Sequence, residues 1–343
     1  MLRREYQVVK LGYDSLEEQV SLYKLVFEIN KSQEDCASFW RRKHYDNPSN
    51  GSLIFGLFLD GLLVGMNAYL PATYELNGKQ IKTLQSCESC VHPNYQGKGI
   101  WGAIVKHAVE YIFAESPYEL ILGFPNYKNS YPGFQKMGWV TLHNMSNYIM
   151  VNNPKAFAQS VVGDNKLLGI IAYPLKMQKL LIAIGKQFRK DLSVADCKEL
   201  DLCWTSTKNT ISLYPDTNWI TWKFGYKDLM ALSVIKNSEK IASCVYHISD
   251  YSGVKILILD NVTIIPEAKG ITRSIIQKIS SYLLGRYKEV AFIRTWIRDG
   301  DKLEVTFKSL GYLRSSHPNP FIVKLKNDDY AQKEWCLSFL DLD

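Results

Sequence analysis

The chain has 343 residues, which exceeds one ordinary domain and predicts two. Hydrophobic residues make up 46% of it and aromatic residues 13%, enough for packed cores, so the composition excludes a disordered protein. The net charge of +7 is modest and scattered along the chain. It permits phosphate-bearing partners, but it gives no reason to expect nucleic-acid binding.

Cysteine usage and the N-terminal residues bear on the compartment. Seven cysteines, an odd number spread from Cys36 to Cys336, do not form the pattern of a disulfide framework. The first residues lack the apolar segment of a signal peptide, so we expect a reduced, cytoplasmic protein. The stretch from Leu167 to Ile184 is apolar, but Pro174 and charged residues interrupt it, so we expect no insertion into a membrane.

The first candidate site in chain order is basic. Arg41, Arg42, Lys43 and His44 follow Trp40 directly. A solvated helix end is the simplest interpretation of such a cluster. The alternative hypothesis is that Arg41, Lys43 and His44 bind a substrate, because basic side chains at this density can meet the phosphates of an acceptor or a coenzyme.

The strand predicted before the glycine-rich segment carries an acidic residue between two cysteines. Strand alternation places Ser86, Glu88 and Cys90 on one face and Cys87 on the other. Cys87 and Cys90 have the spacing of a redox or zinc motif, but the chain has no second pair of this kind. We therefore expect two buried apolar side chains and no metal.

The most informative segment runs from Val91 to Gly102 and predicts a strand end, a glycine turn and a helix start in succession. Pro93 ends the strand, and apolar residues at helical spacing begin near Gly99. In such a turn successive amide hydrogens can point at an anion, and the helix N-terminus adds about half a positive charge. We expect a pyrophosphate-bearing ligand there, bound by Val91, Gln96, Gly97, Lys98, Gly99, Ile100, Trp101 and Gly102.

Two other glycine-rich phosphate-binding motifs, the P-loop and the dinucleotide-binding motif, differ from this segment or match it only in glycine spacing. A P-loop requires a Gly-Lys pair followed by Ser or Thr, which the segment lacks. Gly97, Gly99 and Gly102 match the dinucleotide-binding spacing, and Glu115 or Glu119 could supply the acidic residue of that motif. This spacing alone is weak evidence for a dinucleotide-binding motif. The residues around it decide whether the turn belongs to that motif or to another pyrophosphate-binding turn.

A second block follows further along the chain. Residues 120–124 predict a strand closed by Pro125-Asn126, and the segment from Gly133 to Trp139 predicts a short helix that ends in glycine. In this order, after Gln96-x-x-Gly99, the two blocks resemble the GCN5-related N-acetyltransferase (GNAT) superfamily.

This resemblance implies an acyl-coenzyme A co-substrate. Its pyrophosphate would occupy the glycine turn, and its pantetheine arm would pair with a splayed strand edge, as an added strand does. Asn126 and Asn129 are expected to bind that arm, because amide side chains can both donate and accept hydrogen bonds.

The resemblance also implies direct transfer of the acyl group to a primary amine. A backbone amide near Val91 would polarise the thioester carbonyl. Glu88 is the candidate base, with a structural salt bridge as the alternative, and His92 and His143 are weaker candidates. A family member can also work without a dedicated base.

The acid of the family is usually a tyrosine four residues before the glycine of the second block, where this chain has Phe134. Tyr131 is therefore the candidate acid. Tyr127 is expected to contact the substrate. A thiol pKa near 8.5 makes the loss of the usual tyrosine tolerable.

The two halves of the chain repeat one pattern. The same number of residues separates Pro93 from Gly138 as separates Pro266 from Gly311. Each half also predicts a hairpin-like turn between two hydrophobic strands, at Asp60-Gly61 and at Asn237-Ser238. The fold class is therefore predicted as α/β with a mixed sheet, in two tandem GNAT-like domains. The second is degenerate, because it retains only Gly270 of the glycine turn. The predicted boundaries are 1–152 for the coenzyme-binding catalytic domain, 153–200 for a mainly helical connector, and 201–343 for the second domain, which would serve as scaffold, substrate wall or dimer surface.

Among tandem members of the superfamily, the second block resembles bacterial nucleotide-sugar N-acyltransferases of surface polysaccharide pathways. This implies a nucleotide-linked amino sugar as acceptor, for instance a dTDP-linked amino-dideoxyhexose, with no nucleic acid and with a homodimer as one option. Two alternatives stay open: a non-catalytic acyl-coenzyme A-binding regulator, and an aminoacyl-tRNA-dependent transferase of the peptidoglycan type. The intact turn from Gln96 to Gly102 argues against the second.

Overall fold

The apolar and alternating runs of the sequence form strands of one mixed sheet in the computed structural model, which describes residues 7–162, 189–198, 208–314 and 318–342. Helices pack against this sheet, so the predicted α/β class with a mixed sheet is confirmed. The predicted strand before the glycine turn is longer than expected and begins at Lys79.

The first half begins with a short strand and two helices and continues with a long antiparallel meander. A single π-helical turn (Arg41–Tyr45) extends the second helix. Its elements are β1 (Val8–Leu11), α1 (Leu16–Phe27), α2 (Gln33–Trp40), β2 (Leu53–Leu59), β3 (Leu62–Leu76), β4 (Lys79–Val91), α3 (Ile100–Glu115), β5 (Leu120–Gly123), α4 (Tyr131–Lys136) and β6 (Val140–Val151).

The remaining described elements repeat much of this order. They are α5 (Pro154–Val162), β7 (Leu192–Cys197), β8 (Thr210–Leu213), α6 (Thr217–Lys227), β9 (Met230–Lys236), β10 (Glu239–Tyr251), β11 (Val254–Ile264), α7 (Thr272–Arg286), β12 (Phe292–Arg298), α8 (Leu303–Ser309), β13 (Leu313–Arg314), β14 (Asn319–Leu325) and β15 (Glu334–Cys336). Short 3-10 turns cover Pro266–Ile271 and Phe339–Asp341.

Tight turns join the equivalent hairpins of the two halves. Asp60 and Gly61 have φ of 50° and 79°, and Asn237 and Ser238 have φ of 51° and 68°. Two consecutive residues with positive φ match the right-handed twist of the flanking strands, which is why such pairs join hairpins. Both predicted hairpins are confirmed.

The sheet exchanges strands between the halves. Its order runs β1-β2-β3-β4-β5-β14-β6-β12-β11-β10-β9-β7. β14 lies between β5 and β6 and pairs antiparallel with both. β6 in turn pairs with β12 along seven residues, from Phe292 opposite Val151 to Arg298 opposite Met145. The sheet therefore runs without a break across residue 152. β14 of the second half lies between two strands of the first half, and β6 of the first half pairs with β12 of the second.

Separate cores lie on the two faces of the first half. The spacing of Ile104, Val105, Ala108 and Ile112 buries one side of α3 against β2, β4 and β5. On the opposite face, Trp40 and other residues of α1 and α2 pack on β3 and β4. A third core joins the halves, with Tyr74, Phe321 and Trp335 among its fully buried members.

The predicted connector is described only at its ends. α5 opens it, and β7 at its other end is a strand that pairs with β9, so this part is not helical. The basic residues Lys176, Lys179 and Lys186 of the predicted connector lie outside the described residues.

Candidate active site

Residues whose backbone angles favour glycine form the predicted turn. β4 ends at Val91, a 3-10 turn covers Pro93–Tyr95, and α3 begins at Ile100 with Gly99 as its N-cap. The φ angles of Gly97 and Gly99 are 73° and 79°, in the left-handed region. A side chain at either position would meet open space, so the backbone conformation, not crowding, requires glycine.

The amides of this turn are available to an anion. Within the described residues, the first amide of α3 with a carbonyl partner is that of Ala103, which donates to Gly99 O at 3.1 Å. The amides of residues 97–102 have no backbone acceptor in the described part of the chain. Because the positive end of the helix dipole lies at the same place, the turn fits a pyrophosphate.

Two of the side chains predicted to bind the coenzyme instead form hydrogen bonds within the turn itself. Gln96 Nε2 donates to Val91 O at 3.3 Å, and Lys98 Nζ donates to Asn94 O at 2.9 Å. Ile100 is buried in the core beneath α3, so it can offer a ligand only its amide. The binding chemistry of this segment is therefore chiefly that of its backbone.

Trp101 stands where the family pattern has a small residue, and its ring points away from the turn towards α4. It packs edge-on against Phe134 with ring centroids 4.8 Å apart, and Phe134 packs in the same way against Trp139 at 4.6 Å. A Cβ at Gly133 would lie 2.4 Å from the Trp101 ring, so this close approach requires glycine. Trp101 therefore leaves the turn open.

The edge of β4 is open beside the turn. β4 pairs in parallel with β5 only from Thr83 to Gln85, opposite Leu120 to Leu122. β5 ends at Gly123, whereas β4 continues to Val91. Among the described strands, none pairs with this edge of β4 beyond Gln85, so it can accept an extended ligand such as a pantetheine arm.

A β-bulge lies in this open stretch and changes the predicted face assignment. Cα pairing goes from Met66 opposite Cys90 to Ala68 opposite Cys87, and Glu88 has φ of 40°. Cys87 and Cys90 therefore lie in the same buried core, and the prediction that they face opposite sides was wrong. Strict alternation fails because a bulge adds a residue to one strand. The expectation of buried cysteines is confirmed.

A buried asparagine that the sequence analysis missed holds the bulge. Asn67 is fully buried and donates from Nδ2 to Ser86 Oγ at 3.0 Å and to Ala68 O at 3.2 Å. Its Oδ1 accepts a short hydrogen bond from Ser89 Oγ. A single polar residue between the apolar Met66 and Ala68 was the available signal, because buried amides are retained where they are fully bonded.

Glu88 is buried in a network of charges. Lys43 Nζ donates to Glu88 Oε1, and His44 Nε2 lies 3.4 Å from Glu88 Oε2. His44 Nδ1 shares a hydrogen bond with Ser52 Oγ at 2.9 Å. Burial alone would raise the pKa of Glu88, but the charges of Lys43 and then His44 outweigh burial and hold this pKa well below its usual range.

The network also bears on metal binding. Ligand atoms of His44, Cys87 and Glu88 lie within 4.8 Å of one another. The ammonium of Lys43 already occupies one carboxylate oxygen of Glu88 and would repel a cation. The donor set is therefore better suited to a buried ion pair than to a metal.

The predicted basic cluster does not form one surface. The π-helical turn directs Arg41 and Arg42 to solvent and buries Lys43 and His44, which are 3% and 0% exposed. Arg41 lies 3.7 Å from Asp46. The structure therefore does not bring Arg41, Lys43 and His44 together on one exposed surface, because the two inner side chains pair with Glu88.

The second block supplies an exposed loop beside the open edge. Asn126 Oδ1 accepts from the amides of Lys128 and Asn129 at 3.0 Å and 3.3 Å, so this side chain shapes the loop. Tyr127, which is 52% exposed, stacks on Tyr131 with ring centroids 5.5 Å apart.

Hydrogen bonds orient the candidate acid and one of the two weaker candidate bases, and ring stacking orients the other. Tyr131 OH shares a bond with Thr141 Oγ1 at 2.9 Å. His92 Nδ1 accepts from the Asn94 amide at 3.2 Å and so caps the 3-10 turn. His143 stacks on Phe321, and burial lowers its pKa.

The equivalent turn of the second half lacks this geometry. Residues 266–271 form a 3-10 turn in which Gly270 has no positive φ, and Glu267 lies in the first turn. A carboxylate repels a pyrophosphate. The anion-binding turn therefore belongs to the first half.

Comparison with known proteins agrees with this arrangement. Residues 7–142 match the family model of the acetyltransferase (GNAT) domain. A GCN5-related N-acetyltransferase from Anabaena variabilis has a TM-score of 0.61 at 10% identity, over 94% of this chain and 73% of that chain. A probable N-acyltransferase from Enterococcus faecalis has a TM-score of 0.61 at 11% identity, over 94% and 72%. A tandem GNAT protein from the clavulanic acid biosynthesis pathway has a TM-score of 0.55 at 12% identity, over 94% and 99%. No curated protein sequence matches the chain.

These findings define an acyl-coenzyme A-dependent N-acyltransferase. Residues 7–142 form its GNAT acetyltransferase domain, and the fold continues through the second half as in the tandem GNAT protein. Across the described residues, no helix combines the length and apolar character needed to span a membrane.

Proposed function

We propose that the protein transfers an acyl group from acyl-coenzyme A to the primary amine of a nucleotide-linked amino sugar, such as a dTDP-linked amino-dideoxyhexose, for surface polysaccharide synthesis. The observation that carries this proposal is the set of free amides at residues 97–102, next to an open edge of β4. The amino-sugar acceptor rests on the resemblance of the second block. We place the reaction in the reducing cytoplasm, which agrees with the lack of a disulfide bond among the six cysteines that the structure describes.

The chain's own residues divide the task of binding the co-substrate. When bound, acyl-coenzyme A supplies an activated thioester. The amides from Gly97 to Gly102 hold its diphosphate, and the open edge of β4 from Ser86 to Val91 aligns the pantetheine arm. The bulge held by Asn67 lies in this unpaired stretch of β4, and backbone amides near Val91 are the proposed donors to the thioester carbonyl.

The proposed proton transfers do not use Glu88 as the general base. A general base must accept a proton near neutral pH, whereas the pKa of Glu88 is held low and both of its oxygens face cations. We therefore assign Glu88 to the electrostatic framework of the bulge. The amine then loses its proton to solvent. We assign the protonation of the departing sulfur to Tyr131, whose hydroxyl shares a hydrogen bond with Thr141.

The test is a screen of dTDP- and UDP-linked amino sugars with several acyl-coenzymes, followed by mass spectrometry and by release of free thiol. The expected result is one acylated sugar formed in equal amount with free coenzyme A. A Gly99→Asp variant, which cannot hold the diphosphate, is the matched control.

Two other outcomes would overturn the proposed acceptor. If the coenzyme binds tightly but no amine is acylated, a regulatory acyl-coenzyme A-binding role is favoured. If transfer proceeds from aminoacyl-tRNA and needs no coenzyme A, the peptidoglycan-type alternative is favoured.

A further inference from the structure

A cavity of about 620 Å³ lies between the two halves. Its first wall is the outer side of α2 with the π-helical turn, and its second wall is the C-terminal end of α6 with β10. Trp222 Nε1 donates to Arg42 O at 2.6 Å, and the rings of Phe39 and Tyr226 meet edge-on at 6.3 Å. Because both halves supply a wall, the cavity exists only in the assembled fold. Its volume is that of an ordinary small-molecule site.

The lining favours an anion that also carries hydroxyl groups. Four cationic and two anionic side chains line it, namely Lys31, Arg42, Lys43 and Lys227 against Asp35 and Asp228. Lys43 is paired with Glu88, and Lys227 Nζ donates to Leu342 O at 2.7 Å. Lys31 and Arg42 are exposed, and within the described part of the chain neither forms a recorded ion pair. A guanidinium next to an ammonium is a geometry suited to phosphate oxygens.

Lys43 connects this cavity with the candidate active site. Its side chain lines the cavity, and its ammonium reaches Glu88 on the β4 bulge. The glycine turn lies at the start of α3, which packs on the opposite face of the same strands. A ligand in the turn and a ligand in the cavity would therefore lie on opposite sides of β4, with the Lys43–Glu88 pair between the cavity and the bulge.

We infer that the cavity between the halves receives the phosphate-bearing end of the acceptor, with Arg42 and Lys31 as its phosphate ligands. This inference rests on the proposed function and specifies the acceptor class as a nucleoside diphosphate derivative. It also gives the second half a role in the reaction, because β10 and α6 complete the site. The exposed Asp228 and the hydroxyl of Ser249 are placed to bond the hydroxyl groups of such a ligand.

Calorimetric titration of the full-length protein with dTDP and with UDP, in saturating coenzyme A, tests the inference. Saturation fills the glycine turn, so that the added nucleotide reports on a second site. We expect Arg42→Ala to weaken nucleotide binding about 10-fold and Lys31→Ala/Arg42→Ala about 100-fold, because charged hydrogen bonds to phosphate are lost. Ser249→Trp, on the opposite wall, should block binding by filling the cavity.

Arg41→Ala is the matched control. Arg41 is the neighbour of Arg42 on the same turn, but it is not part of the cavity lining and pairs with Asp46. It should leave nucleotide affinity within about 2-fold. Affinity for coenzyme A and the thermal midpoint should be unchanged in all these variants, which separates loss of the site from loss of the fold.

Several results would overturn the inference. One is that the saturated protein binds neither nucleotide, and another is that Arg42→Ala and Arg41→Ala bind them equally well. If an amino sugar nucleotide is acylated with the same KM by wild type and Lys31→Ala/Arg42→Ala, the cavity assignment fails and the proposed function stands. If the variants lose nucleotide binding but wild type acylates no amino sugar, the cavity assignment stands and the proposed function fails.

Discussion

Lys43→Met removes one partner of a buried ion pair and keeps the length of the side chain. The Lys43 and Glu88 side chains are 4% and 9% exposed, so solvent screens their interaction little. Breaking such a pair leaves a buried carboxylate without its principal cation and costs about 3–5 kcal/mol. We expect the free energy of unfolding near neutral pH to fall by that amount.

The loss should depend on pH in a definite direction. In the wild type the pKa of Glu88 is lowered on folding, so its pairing stabilises the protein above the unfolded pKa of about 4.3 and is lost only as pH falls through the folded pKa. In Lys43→Met, burial raises the pKa of Glu88 instead. Protonation of Glu88 then relieves the cost as the solution is acidified. The deficit relative to wild type should therefore be larger at about pH 7.5 than at about pH 5.

Urea unfolding followed by tryptophan fluorescence at both pH values measures this deficit. The double variant Lys43→Met/Glu88→Leu should recover at least half of the loss, because an apolar pair can replace a buried ion pair. Lys106→Met, at an exposed pair with Glu110, is the control and should cost less than about 0.5 kcal/mol. An equal deficit at both pH values, with no recovery in the double variant, would refute the electrostatic account of Glu88.

Four further predictions concern the site. Gly99→Asp and Gly78→Asp should lower the thermal midpoint to a similar extent, because both place a side chain at positive φ. Only Gly99→Asp should abolish the thermal shift caused by coenzyme A, and equal shifts in the two variants would refute the placement of the diphosphate. Glu88→Gln should lower kcat by the same factor from about pH 6 to pH 9, and a loss that grows as pH falls would restore Glu88 as the base. Asn67→Leu should leave two half-buried hydroxyls, those of Ser86 and Ser89, without their amide partner. It should cost about 1–3 kcal/mol in urea and lower kcat at least about 10-fold, and unchanged kcat would show that the bulge is not needed. Phe134→Tyr should lower the thermal midpoint without raising kcat, because the added hydroxyl would be buried between the rings of Trp101 and Trp139. A gain in kcat would show that a tyrosine at this position can still act as the acid.

The sequence predicted those features that short segments determine. A glycine turn followed by helical spacing is local, and the structure confirms α3 at Ile100 with Gly97 and Gly99 at positive φ. The tight hairpin turns are local in the same sense. Resemblance of two ordered blocks then indicated the family correctly, because their order and spacing constrain the fold more than either block does alone.

The errors have physical reasons that no local pattern contains. The basic cluster was divided because one π-helical turn rotates successive side chains from solvent into the core. The face of Cys87 was misassigned because a bulge interrupts period-two alternation. The residue types in the π-helical turn and at the bulge do not by themselves predict either irregularity. Both irregularities lie at the candidate site, where departures from regular geometry concentrate.

Strand β14 has a consequence for biosynthesis. A ribosome that has just completed β6 still has to add the residues up to Leu325 before the gap beside β5 can be filled. At 5–20 residues per second this interval lasts roughly 10–35 s, during which two unpaired strand edges stay open to wrong partners. Expression of residues 1–152 alone should therefore yield aggregated material. The same fragment with the sequence of β14 inserted between β5 and β6 should be soluble.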